Sequence, residues 1–331
     1  MSIVRIIPSV IEGTLTPPPS KSAAHRALIC TALAGGGTVT SYQPSADMRA
    51  TVSALTALGL EAKQEGERLT FVKAAAPADC PVVDCLESGS TLRFLIPVFA
   101  ALGIPATFVG RGRLPERPLG IYTDLLPAHG VEFRSQGGLP LRISGQLLPG
   151  QYTLPGDVSS QFISGLLFAL PLCGGDSDIT LTTPLESAGY VEMTLRALKA
   201  AGIAVEAREN GWHVPGNQTY CSTGAAVESD WSQAAFLLAA GALGGHVALT
   251  GLDTSSPQGD KEALDLFRRF GADIREENGI IHCSRAPLHG IDIDARQIPD
   301  LVPVLAVTAA GAQGLTRITG AARLRLKESD R

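Results

Sequence analysis

Residues 159–182, SSQFISGLLFALPLCGGDSDITLT, contain the local pattern on which the fold depends. Ser159 or Ser160 can cap a helix by accepting a hydrogen bond from a backbone N–H of its first turn. The apolar face of that helix includes Phe162, Leu166, Leu167 and Leu170. Two glycines at 174–175 end the helix, and the alternating residues at 179–182 predict a strand. The stretch therefore predicts a helix that opens on hydroxyl side chains and leads into a short strand.

A second helix and a hairpin complete this unit. We predict a helix at 191–201, which Gly202 ends in the C′ position. Strands at 203–206 and 212–214 are predicted to pair across Asn210-Gly211, a strong turn signal. With a strand leading in, the order is strand, helix, strand, helix, strand, strand, which is written βαβαββ.

The same order recurs about every 70 residues, and self-similarity at a fixed period indicates an architecture built from repeats. Its helices open at Ser20-Lys21-Ser22, Ser88-Gly89-Ser90-Thr91, Ser159-Ser160-Gln161, Asp230-Trp231-Ser232-Gln233 and Ile298-Pro299-Asp300. Its hairpins begin near Gly59-Leu60-Glu61, Gly130-Val131-Glu132, Gly202-Ile203-Ala204 and Gly271-Ala272-Asp273. One unit cannot bury its own apolar helix, so we expect several units to pack around a shared axis in an α/β fold. An ordinary α/β protein with coincidental turns is the alternative.

The polar helix openings predict an anion site. A helix N-terminus exposes unpaired N–H groups and the positive end of the helix dipole, which bind phosphate or carboxylate. Lys21, Ser22 and Arg26 form the sharpest cluster, with Arg26 one turn after Ser22 on the same helical face. Arg offers a bidentate fork to a carboxylate, and Lys offers a point charge and a proton. These roles suit a substrate with several anionic groups; a plain helix cap or a solvated basic face is the alternative.

The composition limits the classes of protein that fit. Of the 331 residues, 45% are hydrophobic and 18% are charged, which is typical of a globular rather than a disordered chain. The net charge of −5 argues against a general nucleic-acid or membrane-surface binder. The six cysteines lack Cys-x-x-Cys and His-linked spacing, so we expect reduced thiols and no zinc site. No signal peptide or membrane-spanning run is evident, which predicts a cytoplasmic enzyme or binding protein.

Six motifs match one enzyme family in sequence and in order. They are Pro19-Ser20-Lys21-Ser22-Ala23-Ala24-His25-Arg26, Leu86-Glu87-Ser88-Gly89-Ser90-Thr91-Leu92-Arg93, Glu116-Arg117-Pro118-Leu119-Gly120, Pro155-Gly156-Asp157-Val158-Ser159-Ser160-Gln161-Phe162, Ile298-Pro299-Asp300 and Lys327-Glu328-Ser329-Asp330-Arg331. This pattern resembles the 5-enolpyruvylshikimate-3-phosphate (EPSP) synthase family. The resemblance implies transfer of the carboxyvinyl group of phosphoenolpyruvate to the 5-hydroxyl of shikimate 3-phosphate in the shikimate pathway. Phosphate is released, and neither a metal nor another cofactor is needed.

The resemblance also implies a role for individual residues. Shikimate 3-phosphate would be bound by Lys21, Ser22, Arg26, Ser159, Ser160, Gln161, Ser187, Tyr190, Asp300 and Lys327. Phosphoenolpyruvate would be bound by Lys21, Gly89, Arg117, Gln161 and Arg331. Lys21, Asp300 and Glu328 match the catalytic positions of the family. Asp300 would bind the 5-hydroxyl and is a candidate to deprotonate it, with an N-cap role as the alternative; Lys21 and Glu328 are candidate proton carriers.

Two positions depart from the family pattern. Glu87 and His25 stand where Asn is common in the family. A carboxylate near an anionic ligand repels it unless the carboxylate is turned away or paired. The affinity for phosphoenolpyruvate and for inhibitors that mimic it is therefore left open.

The resemblance predicts two domains of three units each, arranged about pseudo-threefold axes and hinged to close on substrate. Residues 19–226 would form the first domain, on the shikimate 3-phosphate side. Residues 1–18 and 227–331 would form a second domain that holds one and a half units. Six units need roughly 420 residues, so we expect about 90 to be missing from the end. The expectation is a monomer that binds substrate but is weakly active or inactive alone.

Three other functions fit parts of the pattern. A UDP-N-acetylglucosamine enolpyruvyl transferase would share the fold and the chemistry. That family carries Lys-Asn where this chain has Lys21-Ser22, and it usually has a Cys-bearing loop where residues 110–120 have none. A non-catalytic fragment that binds shikimate 3-phosphate is a second alternative, and a purely structural repeat protein is the third. Titration with each substrate together with a turnover assay separates them.

Overall fold

The computed structural model describes residues 4–5, 7, 9–77, 79–221 and 224–327. Its α-helices are α1 (Lys21–Leu33), α2 (Ala46–Thr56), α3 (Gly89–Ala101), α4 (Gly120–Leu125), α5 (Ser160–Ala169), α6 (Ala188–Ala200), α7 (Trp231–Gly244), α8 (Ala263–Phe270) and α9 (Val302–Ala310). Its strands are β1 (Ile11–Leu15), β2 (Gly37–Thr40), β3 (Leu60–Glu65), β4 (Arg68–Lys73), β5 (Val82–Asp84), β6 (Ala106–Val109), β7 (Val131–Arg134), β8 (Leu141–Gly145), β9 (Gln151–Leu154), β10 (Ser177–Leu181), β11 (Glu206–Arg208), β12 (Gly211–Val214), β13 (Ala225–Ala226), β14 (Gly245–Leu249), β15 (Asp273–Glu277), β16 (Ile280–Ser284), β17 (Asp292–Asp294) and β18 (Arg317–Thr319).

The chain divides into two compact units, each with its own hydrophobic core. Among the described residues, the first unit contains Pro19–Val227 and residues 323–327, and the second contains those up to Pro18 and Glu228–Ala322. Residues 323–327 were expected in the second domain, and here they group with the first unit instead. The physical reason is a set of polar contacts from Arg323 to Glu186 and Ser187.

Three sheets of one topology build the first unit. Their strand orders are β13-β2-β4-β3, β5-β6-β8-β7 and β9-β10-β12-β11. In each sheet the first strand pairs parallel to the second, and the hairpin adds two antiparallel strands. The predicted βαβαββ unit is therefore confirmed. In the first sheet, however, the leading strand β13 comes from the far end of the unit.

The 159–182 stretch forms the predicted helix and strand, but with different bounds. Helix α5 ends at Ala169 and a 3₁₀ turn follows at Leu170–Leu172, before the glycines at 174–175, and the strand β10 is Ser177–Leu181. Ser159 is the N-cap of α5, and its Oγ accepts a hydrogen bond from the Gln161 N–H at 3.3 Å. Phe162 and Leu166 on the predicted apolar face are at most 1% exposed. Helices α3 and α5 are apolar over most of their surface and pack together inside the unit, as expected for buried helices.

The hairpin of this repeat differs from the prediction by a few residues. Its first strand is β11, so residues 203–206 are mostly outside it, and the pairing of Arg208 with Gly211 leaves Glu209 and Asn210 as the turn. Gly211 lies in the strand, where a Cβ atom would come within 1.8 Å of the Ile179 carbonyl oxygen. The glycine therefore allows close strand approach, and it does not form the turn.

The glycines before each hairpin have one common function. Gly59, Gly130, Gly202 and Gly271 have φ angles of 87°, 85°, 77° and 97°. This left-handed conformation ends the preceding helical segment, and only glycine adopts it without a Cβ penalty. The repeated helix end that the sequence predicts is thus present in all four βαβαββ repeats.

The second unit contains a fourth sheet of the same topology, in the order β1-β14-β16-β15. Its leading strand β1 comes from the start of the chain and runs parallel to β14. Beyond it, β17, α9 and β18 repeat the first half of a unit, with β17 and β18 paired in parallel. None of the helices among the described residues is long and apolar enough to cross a membrane.

Candidate active site

Serine side chains cap the three leading helices of the first unit. The Ser20 Oγ lies 3.4 Å from the Ala23 N–H, and the Ser88 Oγ accepts from the Thr91 N–H at 3.1 Å. Ser159 caps α5 in the same manner. Capping is thus one function of these serines, as the simpler interpretation predicted. The residues that follow them, among them Lys21, Gly89 and Ser160, occupy the first helical positions.

The N-termini of α3 and α5 are joined by side chains. The Gln161 Nε2 donates to the Ser90 Oγ at 2.9 Å, and its Oε1 accepts from the Arg93 Nη1 at 2.6 Å. The Arg93 Nη2 donates to the Pro118 carbonyl oxygen at 3.0 Å. Arg93 is 2% exposed and lies over the Phe162 ring. It therefore fixes Gln161 relative to the loop that carries Arg117, a role that its position in the 86–93 motif did not reveal.

Gly89 and Arg117 lie directly against each other. A Cβ atom on Gly89 would be 2.4 Å from the Arg117 Nη1 and 2.8 Å from its Cζ. The guanidinium group therefore rests on the first backbone turn of α3. The structure brings these two predicted phosphoenolpyruvate residues together, so a cation and helical N–H groups meet at one place.

Replacing Gly89 by alanine is expected to displace the Arg117 guanidinium group. Because a flexible side chain can move aside, we expect little loss of stability. Loss of a charge-assisted hydrogen bond should weaken phosphoenolpyruvate binding by about 10- to 100-fold and leave shikimate 3-phosphate binding nearly unchanged. Calorimetric titration with each ligand checks this, and Gly174→Ala, where no atom lies within 4 Å of the new Cβ and φ is not positive, tests the effect of a methyl group alone. Equal losses for both ligands would contradict the assignment.

Lys21 is paired with a carboxylate that the sequence did not single out. Its Nζ lies 2.8 Å from the Asp47 Oδ2. The side chains are 49% and 26% exposed, so both remain accessible to a ligand. Asp47 is in the first turn of α2, where an acidic residue is common for helix stability alone. Because helix stability alone accounts for an acidic residue here, nothing in the sequence indicated its contact with Lys21, which lies 26 residues earlier.

Arg26 points into the protein. It is 3% exposed and donates to the Thr194 Oγ1 at 2.9 Å and to the Ser22 and Tyr190 carbonyl oxygens at 2.6 Å. Burial lowers the pKa of Arg26 to about 10, so the group stays charged at neutral pH. Arg26 thus links α1 to α6 and brings two predicted site residues, Ser22 and Tyr190, to the same place. Its own contact with a substrate carboxylate stays a prediction.

Ser187 begins α6 in a strained conformation. Its φ of 57° is in the left-handed region, and the residue is 3% exposed. Its Oγ accepts from the Arg323 Nη2 at 3.1 Å, and the Arg323 Nε lies 2.5 Å from the Glu186 Oε2. Strain of this kind clusters at ligand sites. Arg323 is 136 residues away in sequence and outside the six motifs, so no local signal identified it.

In the second unit the helix openings carry carboxylates. The Asp230 Oδ1 accepts from the Gln233 N–H at 2.8 Å and caps α7. This opening differs in charge from the serine caps of the first unit, so the prediction of an anion site does not extend to it. Asp300 lies in the short 3₁₀ turn Pro299–Leu301 before α9, whose N-cap position is Leu301. The N-cap interpretation of Asp300 is therefore wrong.

The remaining predicted residues and departures have separate locations. Lys327 is partly buried, whereas Glu328 and Arg331 lie outside the described residues. The exposed Glu87 lies close to Gly112, where a Cβ would be 2.5 Å from its carboxyl carbon. His25 is 1% exposed, and burial lowers its pKa to about 3.

Solved structures share this fold. An EPSP synthase from Acinetobacter baumannii matches with a TM-score of 0.81 and 28% identity, over 97% of this chain and 76% of that chain. The enolpyruvyl transferase NikO from Streptomyces tendae matches with a TM-score of 0.73 over 93% of this chain and 75% of that chain. At 17% identity, the second likeness concerns the fold alone. The architecture is that of the enolpyruvyl transferases.

Sequence comparison narrows this class to one family. The family model described as EPSP synthase (3-phosphoshikimate 1-carboxyvinyltransferase) matches residues 6–331. The 3-phosphoshikimate 1-carboxyvinyltransferase of Clostridium kluyveri is 44% identical over 335 aligned positions, which cover all of this chain and 79% of that protein. The protein of that name from Clostridium acetobutylicum is 44% identical over 339 positions, with the same coverage. The chain belongs to the EPSP synthase family.

Proposed function

We propose that the chain transfers the carboxyvinyl group of phosphoenolpyruvate to the 5-hydroxyl of shikimate 3-phosphate, releasing phosphate. The contact of Arg117 with Gly89 at the N-terminus of α3 carries this proposal. This contact supports the proposal because a guanidinium group beside the N–H groups of a helix N-terminus is a combination that binds small anions. Lys21 adds a second cation on a neighbouring helix of the same unit. The family membership supplies the identity of the reaction.

The proposal assigns a set of binding residues to each substrate. Phosphoenolpyruvate is bound by Lys21, Gly89, Arg117 and Gln161, with Arg331 assigned by the resemblance alone. Shikimate 3-phosphate is bound by Lys21, Ser22, Arg26, Ser159, Ser160, Gln161, Ser187, Tyr190, Asp300 and Lys327. The hydrogen bonds of Arg26 to the Ser22 and Tyr190 backbone support a common location for those two residues. The Gln161–Ser90 hydrogen bond supports adjacent binding of both ligands at α3 and α5.

The reaction needs one proton delivered and two removed. A proton is added to the methylene carbon of phosphoenolpyruvate, and the 5-hydroxyl oxygen attacks the neighbouring carbon as it loses its own proton. Loss of phosphate and of a methyl proton then restores the vinyl group. Lys21 carries one of these protons in the proposal, and its contact with Asp47 supports this, because a carboxylate 2.8 Å away holds the ammonium group in position. Asp300 and Glu328 keep the roles that the resemblance gives them.

Three titrations test the proposed function. We expect shikimate 3-phosphate to bind the purified chain, UDP-N-acetylglucosamine not to bind, and phosphoenolpyruvate to bind in the presence of shikimate 3-phosphate. Phosphate release and the vinyl protons of the product, followed by nuclear magnetic resonance, report turnover. Binding of the nucleotide sugar instead of shikimate 3-phosphate would refute the assignment.

Replacing Ser160 at the start of α5 by alanine should weaken shikimate 3-phosphate binding by about tenfold through the loss of one hydroxyl contact to an anion.

The proposal takes the acting species to be a single chain in the cytoplasm. Sedimentation of the purified chain with and without shikimate 3-phosphate tests the monomer.

A further inference from the structure

A buried row of polar side chains runs between α1, α2 and α3. The His25 Nδ1 is 2.8 Å from the Thr51 Oγ1, which is 2.6 Å from the Thr91 Oγ1. The Thr91 hydroxyl is in turn 2.8 Å from the Ser88 Oγ. Each of these residues is at most 1% exposed. We call His25, Thr51, Thr91 and Ser88 the polar row.

The hydrogen bonds of the row have one direction. The Thr91 hydroxyl donates to the Ser88 Oγ, and the Asp47 carbonyl oxygen, which can only accept, lies 3.5 Å from the same hydroxyl. Because a hydroxyl has a single proton, Thr91 accepts from Thr51, and Thr51 accepts from the His25 Nδ1–H. The neutral ring then carries its proton on Nδ1. Its buried Nε2 has no hydrogen-bond partner among the described residues.

Both ends of the row reach the candidate active site. The Ser88 Oγ also accepts from the Thr91 N–H and so caps α3 immediately before Gly89. At the other end, His25 lies one helical turn after Lys21 on α1. Asp47 provides a parallel connection, because its carboxylate contacts Lys21 and its carbonyl oxygen faces Thr91. The row therefore connects the helix of the catalytic lysine to the helix on which Arg117 rests.

Packing between these helices does not by itself require side chains that form hydrogen bonds. Apolar side chains of the same shape would pack here without the risk of a buried, unpaired polar group. The hydroxyl groups add direction, since each fixes the rotamer of its neighbour. Only the correct Ser88 rotamer caps the first turn of α3 and orients its N–H groups toward a ligand.

We propose that His25, Thr51 and Thr91 are positioning residues that hold the first turn of α3 in register with Lys21 for phosphoenolpyruvate binding. The proposal rests on the proposed function for the identity of the ligand. It does not require any member of the row to touch a substrate. It predicts that a break at Thr51, which is on a different helix, loosens the cap of α3.

Thr51→Val and Thr51→Ser form a matched pair. Valine keeps the shape of threonine and removes the hydroxyl, whereas serine keeps the hydroxyl and removes a methyl group. Amide hydrogen exchange is measured at Thr91 and Leu92, whose N–H groups bond to the Ser88 Oγ and carbonyl oxygen. With Thr51→Val we expect exchange there to accelerate about tenfold, and with Thr51→Ser to stay near that of the unmodified chain.

The third repeat supplies an internal control. The Gly202 and Ile203 N–H groups bond to the Lys199 and Leu198 carbonyl oxygens at the end of α6, outside the polar row and outside the Gln161–Ser90 bond that joins α5 to α3. Their exchange should not respond to either Thr51 variant. Acceleration at both helices would indicate general loosening and would overturn the positioning role.

A second pair of variants tests the other end of the row. Asparagine at position 25 can place an amide N–H near the site of the His25 Nδ1, whereas leucine cannot. We expect His25→Asn to retain slow exchange at Thr91, and His25→Leu to accelerate it as Thr51→Val does. The double variant His25→Leu/Thr51→Val should be no faster at Thr91 than either single variant, because both break one row. Additive acceleration would overturn the proposal.

Ligand titration completes the test. Thr51→Val should weaken phosphoenolpyruvate binding, measured with saturating shikimate 3-phosphate, by about tenfold while shikimate 3-phosphate affinity changes less than twofold. Equal losses of both would overturn the positioning role. If the unmodified chain binds neither substrate, the proposed function fails, and hydrogen exchange at Thr91 still decides whether the row orients α3.

Discussion

Replacing Lys21 by methionine is expected to slow formation of the enolpyruvyl product by about 10²- to 10⁴-fold, the contribution typical of a positioned acid–base group. Methionine keeps an unbranched stem on α1 but removes the ammonium group. Asp47 then loses its partner at 2.8 Å, and no proton carrier remains at this position. Phosphoenolpyruvate binding should also weaken, since one of its proposed cationic contacts is gone.

A single-turnover experiment separates chemistry from binding for Lys21. The chain is used in excess over shikimate 3-phosphate with saturating phosphoenolpyruvate, and product is quantified after an acid quench, so that slow chemistry is still measurable. Lys21→Arg is the matched control, because it keeps the positive charge but is not a practical proton donor near neutral pH. If arginine restored the rate, charge alone would account for the effect. A rate within threefold of the unmodified chain for Lys21→Met would exclude the proton-carrier role.

The repeat pattern made the fold predictable because its signals are local. Ser88 and Ser159 cap helices through bonds within three residues, and Gly202 ends a helix by its own backbone conformation. Such contacts depend only on nearby sequence. The same is true of the four helix ends, which is why their period could be recognised before the sheets were known.

Parts of the candidate site depend on contacts between distant residues and could not be predicted in this way. Arg26 fits a ligand-binding motif, yet its guanidinium group bonds to Thr194, which lies 168 residues later on α6. Arg323 reaches Ser187 across 136 residues. The leading strand of the first sheet, β13, is likewise supplied from the end of the unit. Periodicity indicates that a helix face is buried, but it does not indicate which distant side chain it meets.

The surroundings of His25 could not be predicted from its place in the sequence. Its place in the 19–26 motif marks only a departure from the family, where Asn is common. The structure shows a ring enclosed with Phe94 at a centroid distance of 6.4 Å and bonded to Thr51. Burial lowers its pKa to about 3, with the Lys21 and Arg26 charges acting in the same direction and the Asp47 carboxylate opposing them. The native state therefore holds the ring neutral, whereas an unfolded chain protonates it near the ordinary pKa of 6.5.

This difference predicts a loss of stability in mild acid. Between pH 6.5 and about 3 the unfolded state binds a proton that the native state does not, so the free energy of unfolding falls as the pH falls. The contribution is fully present above pH 6.5 and declines by up to about 1.4 kcal/mol for each pH unit below it. Over a window of this width, the loss is comparable with a large part of the stability of an ordinary domain.

His25→Asn isolates the effect, because asparagine does not titrate and can keep a hydrogen bond to Thr51. Urea unfolding of both proteins is followed from pH 7.5 to pH 4, with the Trp212 fluorescence of the first unit as the signal and Trp231 replaced by phenylalanine in both. Carboxylates such as Asp178, whose pKa is lowered by hydrogen bonds from His213 and Gln151, are present in both proteins and cancel in the comparison. We expect the unfolding free energy of the histidine protein to decline more steeply as the pH falls. The extra slope is that of one bound proton, up to about 1.4 kcal/mol per pH unit. Parallel curves would show that His25 is already protonated, or exposed, in the native state.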